Sequence, residues 1–177
     1  PWSATAAANA RTRRLRMPSI ADHFPRAWAV VNLAAVVSNA RTVSRIAGAR
    51  ILPMVKANAY GLGAVPIARA LEPLDPWGFG VATPEEGAEL RRAGITRPIL
   101  VFTPLSSGNI APCLAHDLRP VIGDLDGLAA WRAAGARPFH AEVDTGMSRA
   151  GFLWREAAEW RAALAAAGPA CEGIFTH

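Results

Sequence analysis

Lysine is nearly absent from this chain. Of its 19 basic residues, Lys56 is the one lysine and the other 18 are arginines. Tyrosine is as scarce, with Tyr60 standing alone. Cysteine is held to two residues, Cys113 and Cys171. That excludes a disulfide-stapled scaffold and fits a reducing, cytoplasmic setting. Cys113-x-x-His116 is half of a zinc pattern without its second half, and it reads as structural. No apolar run approaches the ~20 residues that a membrane-spanning helix needs, so no membrane partner is expected. Acidic residues are few near the start. Residues 1–26 hold Arg11, Arg13, Arg14, Arg16 and Arg26 against Asp22, which is most of the net charge of +5. The pI of about 10.5 therefore reports a basic terminal stretch. The body carries no arginine stripe with interleaved aromatics, so no nucleic-acid partner is expected either.

What is present is a globular composition, 51% hydrophobic over 177 residues, enough for one domain with a core. Residues 1–26 lack hydrophobic periodicity and are expected to be disordered. Their arginine-rich, acid-poor character loosely resembles a transit peptide; a start at Met17 is the plainer alternative. From residue 27 a regular pattern begins. Ala29-Val30-Val31 reads as a short strand and Leu33 to Ile46 as a helix. Strands are then expected at Ile51–Val55, Gly78–Ala82, Pro98–Phe102, Arg119–Ile122, Phe139–Val143 and Glu172–Thr176. Helices are expected between them, at Ala64–Leu71, Thr83 to about Gly94, Gly108–Ala115, Asp124 to Ala134 and Trp154–Ala167. Thr83-Pro84-Glu85-Glu86 has the residue order of a capping box. Alternation of this kind means a parallel sheet. The expectation is an α/β fold, an incomplete (β/α)8 barrel of the TIM type with about six of eight strands. A complete barrel takes about 250 residues, so the chain is expected to be the front of a longer protein.

Within that frame the stretch Val55-Lys56-Ala57-Asn58-Ala59-Tyr60-Gly61-Leu62-Gly63 stands out. It follows a strand, where parallel α/β folds place their catalytic groups. A primary amine can lose its proton and attack a carbonyl, which guanidinium cannot do. If a helix begins here, Lys56 and Tyr60 lie one turn apart and face one ligand.

The second dense polar stretch is His140-Ala141-Glu142-Val143-Asp144-Thr145-Gly146-Met147-Ser148-Arg149-Ala150-Gly151. On a strand, His140, Glu142 and Asp144 share a face. Three readings stand side by side. The stretch can be a metal site of imidazole and carboxylates. It can be an anion-binding loop in which Arg149 receives a carboxylate or phosphate. It can also be a buried ion-pair network without chemistry. No second histidine-rich strand supports the metal. Glu172-Gly173-Ile174-Phe175-Thr176-His177 puts His177 at another strand end.

Together these stretches resemble the alanine racemases. Val55 to Gly63 is similar to their pyridoxal-phosphate lysine motif, Val143 to Gly151 to their substrate-arginine loop, and Gly173 to His177 to the strand end with their cofactor-facing histidine. Trp28 to Leu33 resembles their opening strand, and the likeness runs from about Arg26 to His177. It implies a partial pyridoxal-phosphate-binding barrel over residues 27–177. It further implies that Lys56 holds the cofactor covalently and serves as base on one face of the substrate. Tyr60 would help bind the phosphate, Arg149 the cofactor oxygen and the substrate carboxylate, and His177 would lie beside the ring. The implied substrate is alanine, the setting D-alanine supply for peptidoglycan in the cytoplasm, and the full-length state a homodimer. The resemblance implies no metal. Where the family often has a carbamylated lysine, this chain has Glu142, which would steady Arg149 directly with Asp144 in support. The family's opposite-face base is a tyrosine from a C-terminal domain, so these 177 residues alone are expected to be poorly active. Related readings are another barrel enzyme with the same cofactor, such as a broad-specificity racemase or a D-amino-acid aldolase or dehydratase, or a cofactor-binding carrier.

Overall fold

Parallel strands and helices alternate through the computed structural model, which describes residues 29–135 and 137–177. The disorder expected of residues 1–26 lies outside them. The strands are β1 (Phe79–Val81), β2 (Ile99–Pro104), β3 (Arg119–Ile122), β4 (Phe139–Asp144), β5 (Phe152–Leu153) and β6 (Cys171–Phe175). The helices are α1 (Leu33–Ala47), α2 (Ala64–Leu71), α3 (Pro84–Arg92), α4 (Ser107–Ala115), α5 (Leu125–Ala133) and α6 (Ala157–Ala167). The sheet runs β1-β2-β3-β4, with β6 pairing β4 along most of its length and β5 pairing only its last two residues. Every pairing is parallel.

Two expected strands differ. Ala29-Val30-Val31 forms no strand. Among the described residues no neighbouring edge pairs with it, and a β segment without a partner has no ladder to hold it. Ile51–Val55 does run beside β1, yet it forms a single bridge, Met54 to Gly80. Gly80 N–H donates to Pro53 O at 2.9 Å, and Val55 N–H donates to Gly80 O at 2.8 Å. The next rung would need a donor from Pro53, and proline has none. The two-residue β5 was not expected. It follows a glycine turn in a stretch that reads as loop.

Helix starts follow their sequence signals. Asn32 accepts from Ala35 N–H at 3.1 Å and caps α1, while Asp124 accepts from Gly127 N–H at 2.6 Å and caps α5. Thr83 caps α3, receiving Glu86 N–H at 3.5 Å. The reciprocal half of the capping box is missing, because the Glu86 carboxylate turns elsewhere. The sheet buries one layer against the helices. Phe79, Ile99, Phe139, Leu90, Leu128 and Trp131 are fully enclosed there, each contributing about 1.5–3 kcal/mol of apolar transfer. The Trp131 indole N–H is satisfied by Arg137 O at 2.8 Å. On the other face, Gly80 lets Met54, Leu52 and Phe102 close in over β1, and Phe102 meets Phe175 edge-on at 5.4 Å. This second layer forms an apolar floor below the C-terminal strand ends.

Candidate active site

Parallel strands point their C-terminal ends the same way, so whatever follows each strand gathers at one edge. Lys56 follows Ile51–Val55, the Asp144–Gly151 loop follows β4, and His177 follows β6. The start of α3, with Glu86, follows β1. Residues up to 121 positions apart in sequence thus come to one side of the sheet.

Lys56 is half-buried and begins a turn of unexpected hand. Ala57, Asn58, Ala59 and Tyr60 have φ of 50°, 53°, 54° and 55°, which makes this a left-handed helical turn, not the start of a right-handed helix. Such backbone costs L-residues about 1–2 kcal/mol each, so it persists only where surroundings dictate it. Here they do. Ala59 N–H donates to Val55 O at 2.8 Å, Gly61 N–H to Ala57 O at 3.0 Å and Gly63 N–H to Asn58 O at 2.8 Å. The Asn58 side chain accepts from Ala64 N–H at 2.8 Å and ties the turn to α2. Ala59 is buried beneath it. Tyr60, at the end of the turn, is 66% exposed.

Asp144 organises the arginine loop. Its carboxylate accepts from Gly146 N–H at 2.9 Å and Ser148 N–H at 3.0 Å, and these bonds, led by that from Ser148, hold its pKa below the ordinary value. The loop is further shaped by Ser148 at φ 57° and by Gly151 at φ +110°. A Cβ on Gly151 would sit 2.7 Å from Asp144 N. Arg149 is carried on the exposed part of this loop. A hydroxyl pair, Thr145 with Thr176 at 2.7 Å, ties the loop to the end of β6 beside His177.

Glu142 is buried on β4. Burial pushes its carboxyl upward, Asp144 adds to that, and the charges of Arg149 and His177 oppose it. Arg149 and His177 are therefore near enough to act on Glu142. The ion pairs among the described residues, which join Arg91, Arg97, Arg119 and Arg137 to Asp75, Asp117 and Glu172, do not include it. His140, on the same strand face, lies one layer lower, with its ring 4.8 Å from Trp77. Burial lowers its pKa, and Nε2 has no partner among the described residues. No three His, Cys, Asp or Glu side chains among the described residues form a metal-holding group. Glu86 and the Thr145–Thr176 pair were not singled out from sequence. Each is an ordinary residue in a helix-start or loop pattern, and only the fold reveals its cross-strand partner.

A polar cluster at this end of a helix-wrapped parallel sheet is the arrangement of barrel-type α/β domains, whose sites lie on the loops after their strands. Comparison with known proteins makes the class particular. The chain belongs to the alanine racemase N-terminal domain family, whose model matches residues 31–177. An alanine racemase of Symbiobacterium thermophilum is 42% identical over 164 residues, covering 88% of this chain and 43% of that protein. One from Aquifex aeolicus is 35% identical over 157 residues, covering 87% and 43%. The chain thus spans less than half the length of these relatives. Among solved structures, an alanine racemase from E. faecalis superposes with a TM-score of 0.72 at 31% identity, covering 82% of this chain and 42% of that one. An alanine racemase from Bartonella henselae with covalently bound pyridoxal phosphate superposes at 0.71 and 27% identity, covering 82% and 44%. The incomplete parallel barrel expected from sequence is what these neighbours share with the chain.

Proposed function

We propose that this chain is the cofactor-bearing part of an alanine racemase, an isomerase that interconverts L- and D-alanine, supplies D-alanine for peptidoglycan, and works in the cytoplasm as a homodimer when full-length. The observation that carries the reading is the placement of the sole lysine on a locked strand-end turn, on the same edge as the Arg149 loop and His177, in a chain of this family.

The residues present fit pyridoxal phosphate. A half-buried amine stands at a strand end, a cation-bearing loop and an imidazole stand on the same edge, and the floor of Met54, Phe102 and Phe175 is apolar enough to lie under a flat ring. The group, when bound, supplies the electron delocalisation that lets a base remove the α-proton of an amino acid. Lys56 Nζ is the covalent attachment point and carries the proton to and from one face of the α-carbon. Arg149 receives the substrate carboxylate as a bidentate guanidinium can. Tyr60 and His177 would help hold the group, the hydroxyl at its phosphate and the imidazole at its ring. Glu142 supplies a buried carboxyl beside Arg149 and His177, and Asp144 keeps the loop in shape. Racemisation needs a second proton carrier on the opposite face; the residues gathered here supply one face.

The direct test is the absorbance spectrum of the folded chain with pyridoxal phosphate, with and without borohydride, beside Lys56→Ala. The expected result is a cofactor band at the edge of the visible and, after reduction, a label on the Lys56 peptide. A folded chain with no band and no label overturns the reading.

A further inference from the structure

Glu86 sits at the third position of α3, where a capping-box glutamate would reach back to Thr83. It does not do so. One carboxylate oxygen accepts from Ala82 N–H at 2.7 Å, at the end of β1. The other accepts from Ala57 N–H at 2.8 Å, across the sheet edge and immediately after Lys56. Its own N–H donates to Thr83 Oγ1 at 3.5 Å. One rigid side chain therefore ties together the end of β1, the N-terminus of α3 and the first left-handed residue after the lysine.

We propose that Glu86 is a positioning residue for Lys56, clamping the Ala57 amide so that the left-handed turn is entered and the lysine amine is aimed at the strand-end site. The proposal rests on the reading that Lys56 attaches an aldehyde cofactor. Several details support it. The four residues after Lys56 adopt positive φ without a single glycine among them, so the turn is imposed from outside and not by its own sequence. Its internal hydrogen bonds use the N–H groups of Ala59, Gly61, Leu62 and Gly63. The Ala57 N–H is left over, and Glu86 takes it. The bond to a carboxylate is stronger than one to a neutral acceptor, and it acts one residue from the amine. Glu86 is also half-buried, and its bond to Ala82 N–H is partly shielded from water, which anchors the carboxylate from which the more exposed Ala57 bond is made.

The experiment uses Glu86→Gln and Glu86→Ala. Glutamine keeps the shape but has one accepting oxygen, so it cannot satisfy both amides. Three readouts are taken: amide exchange at Ala57 and Ala82, pyridoxal phosphate trapped on Lys56 by borohydride, and the induced circular dichroism of the bound cofactor. Trapping joins the amine to the aldehyde carbon with loss of water, and borohydride supplies the hydride that fixes the link. The expected result is folded variants in which Ala57 exchange is faster by about tenfold or more. Trapping on Lys56 falls by a similar factor, and the induced dichroism changes shape. Folded variants with trapping within twofold of wild type and an unchanged dichroic band overturn the proposal, even if their melting temperature drops. If Glu86→Ala does not fold, Glu86→Gln decides by the same readouts. If wild type traps no cofactor, the cofactor reading has failed by itself. Ala57 exchange then decides the clamp, supported by faster exchange in Glu86→Gln and overturned by unchanged exchange.

Discussion

Glu142 and Asp144 stand two residues apart on one strand and are pushed in opposite directions. Burial raises Glu142; loop amides lower Asp144. The consequences for stability have opposite sign. A carboxyl raised on folding contributes stability below its unfolded value and loses it as pH rises through the folded one. A carboxyl lowered on folding contributes above its unfolded value and loses its contribution as pH falls through the folded one. Glu142→Gln is therefore expected to gain in melting temperature over wild type as pH is raised from about 4 to neutrality. A pH-independent difference would show that the carboxyl's burial is not what sets it apart. Asp144→Asn is expected to behave inversely, with its deficit greatest at neutral pH and shrinking toward pH ~3. Its effect should be local, with faster amide exchange at Gly146 and Ser148 that leaves β4 protected. In a full-length enzyme, Glu142→Gln should lower kcat/KM by about tenfold or more, because Arg149 loses a buried carboxyl partner. Unchanged kinetics would remove Glu142 from the site.

The Lys56 turn separates what the residues announce from what the fold imposes. Thr83 and Asp124 announce their helices by chemistry acting over three residues, and the structure follows. Ile51–Val55 was legible from its apolar run as a segment beside the sheet, but it keeps a single bridge and is not a strand, because the effect of Pro53 on its pairing needs the partner strand to be seen. The left-handed turn was not legible. Asn58 alone favours that conformation, while Ala57, Ala59 and Tyr60 oppose it, and what overrides them is a carboxylate 29 positions away. That Lys56, Arg149 and His177 each follow a segment of the sheet was legible from the chain order; how they are arranged around one another was not. Ala57→Gly tests this balance. It relieves about 1–2 kcal/mol of left-handed strain against about 0.5–1 kcal/mol of added backbone freedom, so chemical denaturation should show a gain of about 0.5 kcal/mol. A loss of that size would mean that the turn is not strained at Ala57. Gly151→Ala should do the reverse. Its φ and its approach to the backbone of β4 leave no room for a Cβ, and a loss of about 1–3 kcal/mol is expected, with the Arg149 loop displaced.

Scaled up to the whole molecule, the same strand ends that gather the site leave the sheet open at its sides. Among the described residues, Ile51–Val55 has β1 on one side and no strand on the other, and β6 is paired on its β4 side alone. The face of β6 that should lie under helices carries Ile174 at 60% exposure, in register with Ala141, which is fully buried. Unpaired strand edges with apolar side chains are templates for further pairing. The 177-residue chain by itself is therefore expected to associate as concentration rises, with β6 as the contact. Sedimentation of wild type, Ile174→Lys and Leu125→Lys separates the edge from general stickiness, since Leu125 is exposed at the start of α5, away from either edge. Ile174→Lys should hold the chain monomeric at concentrations where wild type and Leu125→Lys associate. Equal suppression by both variants would place the association elsewhere, and the open side of β6 would then be quiet in solution despite its apolar face.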